Sequence, residues 1–344
     1  MHCNELDSRP DKYKIVAACD TVALRRQKAA RRYGCATYRT IRQLVADQNV
    51  EMVDIATRSC DHFAHAALAL RAGKDVLLEK PITVSYEQAK KLRAIAQRSS
   101  GNLYVRHNRR FEPSFLHIRN IIDSGILGEV YEVKLRRLHF HFRGDWQTIK
   151  RFGGGQLLNW GPHIIDHALQ LLGSPCKDVW ADLKKTAAVG DAEDHVKIIL
   201  TGRNGRIVDV EISGGAALGE PMYHIFGTRG ALTSGGDDIT VKYLDPRVKL
   251  KPLKADPATP GVAGHPPIPN HVLVNSGNMH VGQGIKWIED TFPINPPRTY
   301  DIWDELYKAV RLGYDFPITL DESVEVMRIV SAAKACSSFY RTRN

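Results

Sequence analysis

Residues 51–81 read EMVDIATRSCDHFAHAALALRAGKDVLLEKP, and their pattern decides the fold. A short apolar run, Met52 to Thr57, gives way to a helical stretch over about 61 to 72, which Gly73 stops as a C-terminal cap. A second apolar run, Asp75 to Lys80, ends on a charged pair before Pro81. Strand, helix and strand within roughly 30 residues is the signature of a parallel βαβ unit.

The same rhythm continues on both sides. Lys14 to Asp20 reads as a strand ending on an acid, with helices over about 22 to 33 and 40 to 48. A helix from Ser85 to about Arg98 and a strand over Leu103 to Val105 follow. In open α/β sheets ligands bind beyond the carboxyl ends of the strands, so Asp20, Thr57, Glu79 and Lys80 converge on one crevice. No GxGxxG precedes Asp20, and Met1 to about Ser8 reads as the tail of a helix. The sequence therefore reads as starting inside the first helix of a dinucleotide fold.

After Asn108 the periodicity changes. A helix over Pro113 to Asp123 leads through Gly125 and Gly128 into a long alternating strand, Glu129 to Phe142. Alternating runs at 178 to 186, 195 to 201, 206 to 213, 222 to 227 and 239 to 244 predict a mostly antiparallel sheet. The fold class is α/β: a Rossmann-type parallel-sheet domain over 1–108, lacking its first strand and glycine loop, then an α+β domain over 109–344. Asp245 to Thr299 carries ten prolines, including those of Gly264 to Asn270, and reads as a functional or subunit-spanning excursion without regular structure. Helices at about 300 to 312 and 322 to 337 close the chain, the second N-capped by Asp321 and packing back on the first domain.

Composition narrows the function classes. With 344 residues, 43% hydrophobic and 25% charged, the chain can bury a sizeable core, which excludes disorder and a disulfide-stapled miniprotein. No window reaches the 18 or so apolar residues of a membrane span. The net charge of +10 includes Arg25, Arg26, Lys28, Arg31 and Arg32, but these share one helix face with no aromatic platform, so nucleic acid is not an expected partner. Six scattered cysteines without a CxxC pair fit reduced thiols and a cytoplasmic location.

Several side chains can carry chemistry. Lys80 at the crevice mouth can hydrogen-bond a substrate hydroxyl and stabilise an alkoxide, although a lysine snorkelling at a strand end is the plainer reading. Gly161 and Pro162 form a cap and first-turn pair, which puts His163 in the first turn of a helix reaching about Leu172. There the positive helix end disfavours imidazolium, leaving a neutral base. Asn159 lies near His163, Asp166 is placed to orient a neighbour, and His167 reads as a packing histidine. The His163/His167 and His139/His141 pairs have ligand-like spacing, but no zinc signature accompanies them and no metal is expected. His139 and His141 line the cleft or face solvent. At the handover between domains, Asn108, Arg109 and Arg110 supply an amide and guanidinium groups, either to the cleft or to surface ion pairs. Trp146 offers an aromatic face to a sugar ring, although core packing is the usual fate of a tryptophan.

Taken together, the acid-ending strand at Asp20, the run AGKDVLLEKP ending at Pro81, His107 to Phe111, Gly153 to Asp166 and Phe316 to Glu322 resemble the Gfo/Idh/MocA family of glucose-fructose oxidoreductases and inositol dehydrogenases. The resemblance implies NAD(P)-linked oxidation or reduction of sugars and cyclic polyols, and homo-dimers or tetramers built through an open sheet. It makes Lys80 the lysine beside the reacting carbon and His163 the acid/base. Asn159 stands where the family usually has aspartate, and an amide orients a hydroxyl but takes no proton. The cofactor would be held by Asp20, Ala56, Thr57 and Arg58, together with His62, Glu79, Lys80 and Asn108. The substrate would meet Arg109, Trp146, Asn159, His163 and His139. Asp20 on the adenosine ribose favours NAD over NADP, against the nearby Arg25 and Arg26. The segment Leu158 to His163 looks like a branch acting on glucoside-type sugars. Two alternatives use the same scaffold: a sugar lyase or hydrolase with tightly held NAD, and a non-catalytic sugar-binding homologue without the glycine loop.

Overall fold

A computed structural model describes residues 2–249, 286–294 and 301–341. In chain order its first part comprises α1 (His2–Leu6), β1 (Ala17–Cys19), α2 (Ala23–Tyr33), β2 (Ala36–Tyr38), α3 (Ile41–Val45), β3 (Met52–Ile55), α4 (His62–Arg71), β4 (Asp75–Glu79), α5 (Tyr86–Ala96) and β5 (Leu103–Arg106). Every strand pairing here is parallel: β3–β4–β5 form one sheet and β1–β2 a separate pair. The βαβ expectation for 51–81 holds because α4 buries Ala66, Ala69 and Leu70, which share one helix face, and then stops at Gly73 with a left-handed φ of 73°. Period two governs β4. Val76 and Leu78 join the main core, while Leu77 faces the other way into a smaller cluster with Phe111, Ile302, Trp303, Leu306 and Ile318.

The second part continues with α6 (Pro113–Asp123), β6 (Val130–Leu138), α7 (Gln156–Asn159), α8 (Gly161–Leu172), β7 (Cys176–Lys184), β8 (His195–Gly202), β9 (Ile207–Ser213), β10 (Tyr223–Gly227), β11 (Gly230–Ser234), β12 (Asp238–Leu244), β13 (Trp287–Pro293), α9 (Ile302–Leu312) and α10 (Leu320–Cys336). Eight strands run in the order β13-β12-β11-β10-β6-β9-β8-β7, and all neighbours except β6 and β9 are antiparallel. The inner face, with Val133, Leu135, Ile198, Val210 and Ile225, is wholly buried and lies toward α8. The outer face carries the ion network of Arg136, Lys197, Asp209 and Glu211, beside an exposed Trp180. Buried residues of both parts and of α10 belong to one continuous cluster. Helix α10 bridges the parts: Ser331 Oγ accepts the Tyr86 N–H at 3.0 Å and Ser337 Oγ accepts the Leu183 N–H at 3.1 Å.

Some local expectations give way. Helix α10 is N-capped by Thr319, because Thr319 and Glu322 form a reciprocal capping box, and Asp321 pairs with Arg93 at 2.7 Å instead. Strands β2, β11 and β13 carry too little alternation to stand out in the sequence. Of the proline-rich stretch, Gly264 to Asn270 lies outside the described residues, whereas 287–293 is not structureless but pairs along all of β12. Gly161 is the first residue of α8 rather than its cap, since Trp160 is already helical and α7 runs directly into α8.

Candidate active site

Lys80 leaves the carboxyl end of β4 and donates from Nζ to the Asn159 carbonyl at 2.9 Å. In the first turn of α8, His163 is buried with Nδ1 lacking any partner. His107, just after β5, is buried with both ring nitrogens unpartnered. Lys80, His107, His163 and Arg109 lie close enough to sense one another's charge. Burial, opposed by Glu79 and helped by Arg109, draws the Lys80 ammonium down to about 8. Burial and then the Lys80 charge hold His163 well below the usual histidine range, so its ring is neutral. That is the state expected from sequence, for a different reason. The His163 N–H donates to the Trp160 carbonyl at 3.1 Å, so the start of α8 is not a free dipole end.

The neighbour that Asp166 orients is Arg110, which is not a surface residue. Arg110 is 4% exposed, Asp166 is 1% exposed, and the guanidinium grips the carboxylate in a bidentate pair, with Nε to Oδ2 at 2.9 Å. Arg110 also reaches Glu322 in α10 at 2.9 Å. His167 is the packing histidine expected: Nε2 is 2.9 Å from the Arg109 carbonyl, Nδ1 is 3.0 Å from the Tyr223 hydroxyl, and the ring stacks on Phe115. Both of its nitrogens are used, which removes it as a co-ligand for His163.

The residues expected around a cofactor divide. Asp20 follows β1, accepts the Val22 N–H at 2.7 Å and meets Arg25 at 3.3 Å. Ala56, Thr57 and Arg58 are exposed just beyond β3, with Thr57 3.1 Å from the His65 ring and Arg58 3.0 Å from Asp61. Asn108 opens the half-buried turn that also carries Arg109. His62 is buried and spans the Pro81 and Thr57 carbonyls at 2.7 and 3.1 Å, so it ties two strand ends together. Glu79 turns toward α1, accepting from Arg106 at 3.0 Å and lying 2.9 Å from His2. Burial alone would raise its carboxyl, but His2 and Arg106 outweigh burial and hold it near 2. Its charge thus opposes the downward shift of Lys80, while Oε1 meets His2 and Arg106 and Oε2 accepts the Lys80 main-chain N–H at 3.1 Å.

Sequence reasoning missed Trp160, Arg137 and Arg143. Trp146 is half-buried in a short turn, whereas the ring recorded beside His163 is Trp160, at 6.0 Å between centroids. Arg109 and Arg137 both lie over the Trp160 ring, at 4.4 and 4.1 Å. His139, half-buried with Nδ1 unpartnered, sits 5.8 Å from His141. The signal for Arg137 was its place two residues before His139 on the strand.

The chain thus combines a parallel-sheet domain, with Lys80 and His107 at its strand ends, and an open-sheet domain whose α8 carries His163. Residues 1–107 match the oxidoreductase family with an NAD-binding Rossmann fold, and residues 115–233 match the GFO/IDH/MocA C-terminal domain. The chain belongs to the GFO/IDH/MocA oxidoreductase family. It is similar to an uncharacterized oxidoreductase of Schizosaccharomyces pombe, 34% identical over 249 residues that cover 69% of this chain and 67% of that one. It is also similar to the scyllo-inositol 2-dehydrogenase (NADP(+)) of Bacillus subtilis, 26% identical over 306 residues, 88% of this chain and 81% of that one. Among solved structures, an NAD-binding protein from Listeria innocua superposes with a TM-score of 0.79 at 24% identity, over 99% of this chain and 94% of that one.

Proposed function

We propose that the chain moves a hydride between a secondary hydroxyl of a sugar or cyclic polyol and a nicotinamide cofactor. The observation that carries this reading is a lowered-pKa Lys80 at the carboxyl end of a parallel strand, within charge range of a neutral, buried His163 in α8. The inositol dehydrogenase of Bacillus subtilis, similar over most of both chains, supports the substrate class. The residues fit such a cofactor: unpartnered ring nitrogens of His107 and His163 mark a buried polar space beside Lys80, and exposed Ala56, Thr57 and Arg58 with Asp20 would hold the dinucleotide. When bound, the nicotinamide supplies the hydride acceptor. The chain's own residues do the rest. His163 takes the hydroxyl proton, Lys80 donates a hydrogen bond to the oxygen as negative charge develops, and Asn159, through its main-chain carbonyl, holds Lys80 in place. The expected catalytic set is Lys80, His163 and Asn159, with Arg109, His139 and Trp146 toward the substrate. We further assign a cytoplasmic location and a homo-oligomer formed through the open outer sheet face; no helix among the described residues is long and apolar enough to cross a membrane.

The test is native mass spectrometry for a retained dinucleotide, together with reduction of NAD and NADP in the presence of inositols and aldohexoses. Nucleotide binding with reduction supports the reading. Substrate consumption without net reduction would replace it with elimination chemistry, and absence of any nucleotide binding would make the protein a sugar binder.

Two predictions follow from the protonation states and charges. Because Lys80 must carry its proton to stabilise the oxyanion, kcat/KM is expected to fall above pH about 8 by roughly tenfold per unit. A neutral His163 leaves the region from pH 6.5 to 8 flat; a profile rising through pH 8 to 10 would assign Lys80 the opposite role. The Asp20 carboxylate disfavours a 2′-phosphate, so NAD is expected over NADP. Asp20 is partly exposed and paired with Arg25, which screens it, so Asp20→Ala should lower the NAD-to-NADP ratio of kcat/KM by only about tenfold. An unchanged ratio would place the ribose elsewhere.

A further inference from the structure

Strand β6 places Val133 and Leu135 on the inner, helix-covered face of the sheet, fully buried. Period two puts residue 137 on that face as well, and it is an arginine. Arg137 makes no ion pair among the described residues, and its Nε is buried without a hydrogen-bond partner. Its guanidinium lies over the Trp160 ring at 4.1 Å, and that of Arg109 lies over the same residue's ring at 4.4 Å. The nearby carboxylate, Glu112, is taken by Arg109 in a close ion pair. His139 and His141 extend the same row, and Asp145 at its far end is taken by Arg143 at 2.9 Å. The acids of this wall are thus engaged by Arg109 and Arg143, and among the described residues neither the Lys80 ammonium nor the Arg137 guanidinium forms an ion pair. Half-burying a guanidinium beside another cation is unfavourable unless an anion completes the set; burial and then Arg109 pull Arg137 down, and the charge of Glu112, which Arg109 already pairs, opposes them without reversing the direction.

We propose that the substrate carries an oxyanion, a carboxylate or phosphate on the sugar or polyol frame, and that Arg137 receives it beside Trp160. The inference rests on the sugar-oxidoreductase reading only for the sugar frame; the anion requirement comes from Arg137 itself. A planar guanidinium pinned on an indole has few rotamers left to lose, which suits bidentate capture of such a group.

The test is calorimetric binding of D-glucuronate, D-glucose 6-phosphate and D-glucose to the wild-type protein, Arg137→Gln, Arg137→Lys and Arg71→Gln. Arg71 lies at the opposite end of α4, outside the site, and controls for the overall positive charge. One of the two anions is expected to bind the wild type about 10- to 100-fold more tightly than glucose, since a charge-assisted contact is lost with the neutral sugar. Arg137→Gln should abolish that margin and leave glucose binding unchanged, Arg137→Lys should restore part of it, and Arg71→Gln should change nothing. Preference for glucuronate or for the phosphate identifies the group. Equal binding of all three probes to the wild type, or an equal loss for glucose in Arg137→Gln, would overturn the proposal. Anion binding that depends on Arg137 with no nicotinamide reduction would sink the redox reading and leave this one standing.

Discussion

Lys80→Ala is expected to lower kcat about a thousandfold with the fold intact. A preorganised donor aimed at developing negative charge contributes roughly 10²- to 10³-fold, and proton management by the same group adds to it. Lys80 is well suited to that work because its ammonium is largely withdrawn from water and held by the Asn159 carbonyl at 2.9 Å. The neighbouring His163 presents no competing positive charge. Lys80→Arg should not rescue: a guanidinium is larger, stays charged at every accessible pH, and would not share the single carbonyl acceptor in the same geometry. The structural penalty is small, one hydrogen bond to main chain of about 1 kcal/mol, so circular dichroism and melting should remain near wild type. An unchanged kcat in a folded Lys80→Ala protein would remove the lysine from the chemistry and, with it, the central support for the proposed reaction.

The parallel-strand domain was legible because its signals are local. Apolar runs end on Asp20, Thr57 and Lys80, Gly73 stops a helix, and chain topology alone then brings strand ends together. Lys80 and His163 were readable for the same reason, each lying at the boundary of an element. What could not be read was how side chains spend their partners. Nothing in the spacing of Asp166 and His163 shows that the carboxylate is consumed by Arg110, a residue 56 positions away in sequence. Nothing in Asn159 shows that its main chain, which any residue would supply, is what meets Lys80. Arg137 and Trp160 were overlooked because stacking across a strand and a helix start leaves no periodic trace. The neutral His163 was anticipated from a helix end, yet burial beside Lys80 produces it, so agreement on the state did not mean agreement on the cause.

The second large effect concerns stability. Arg110→Ala is expected to destabilise the protein by about 3–5 kcal/mol, because it strands the Asp166 carboxylate, 1% exposed, with no counter-charge and removes the ion pair to Glu322, which keeps its hydrogen bonds from Gln170 and Thr319. The expectation is specific to breaking the pair. Replacing both members by apolar residues, Arg110→Met with Asp166→Leu, should recover most of the loss, since the desolvation cost of two charges disappears with their attraction. Urea midpoints of the two single variants and the double variant measure this directly. A loss below about 1 kcal/mol in Arg110→Ala would mean that water reaches Asp166 and that the pair is no core element. Function adds a second criterion. Arg110 belongs to the turn that also carries Asn108 and Arg109, and it ties that turn to α8, which carries His163, and to α10. If the ion pair serves only stability, the apolar double variant will regain both melting behaviour and kcat. If it also sets the position of Arg109 relative to His163, the double variant will regain stability while kcat stays low, because packing restores the core but not the angle at which the turn leaves β5.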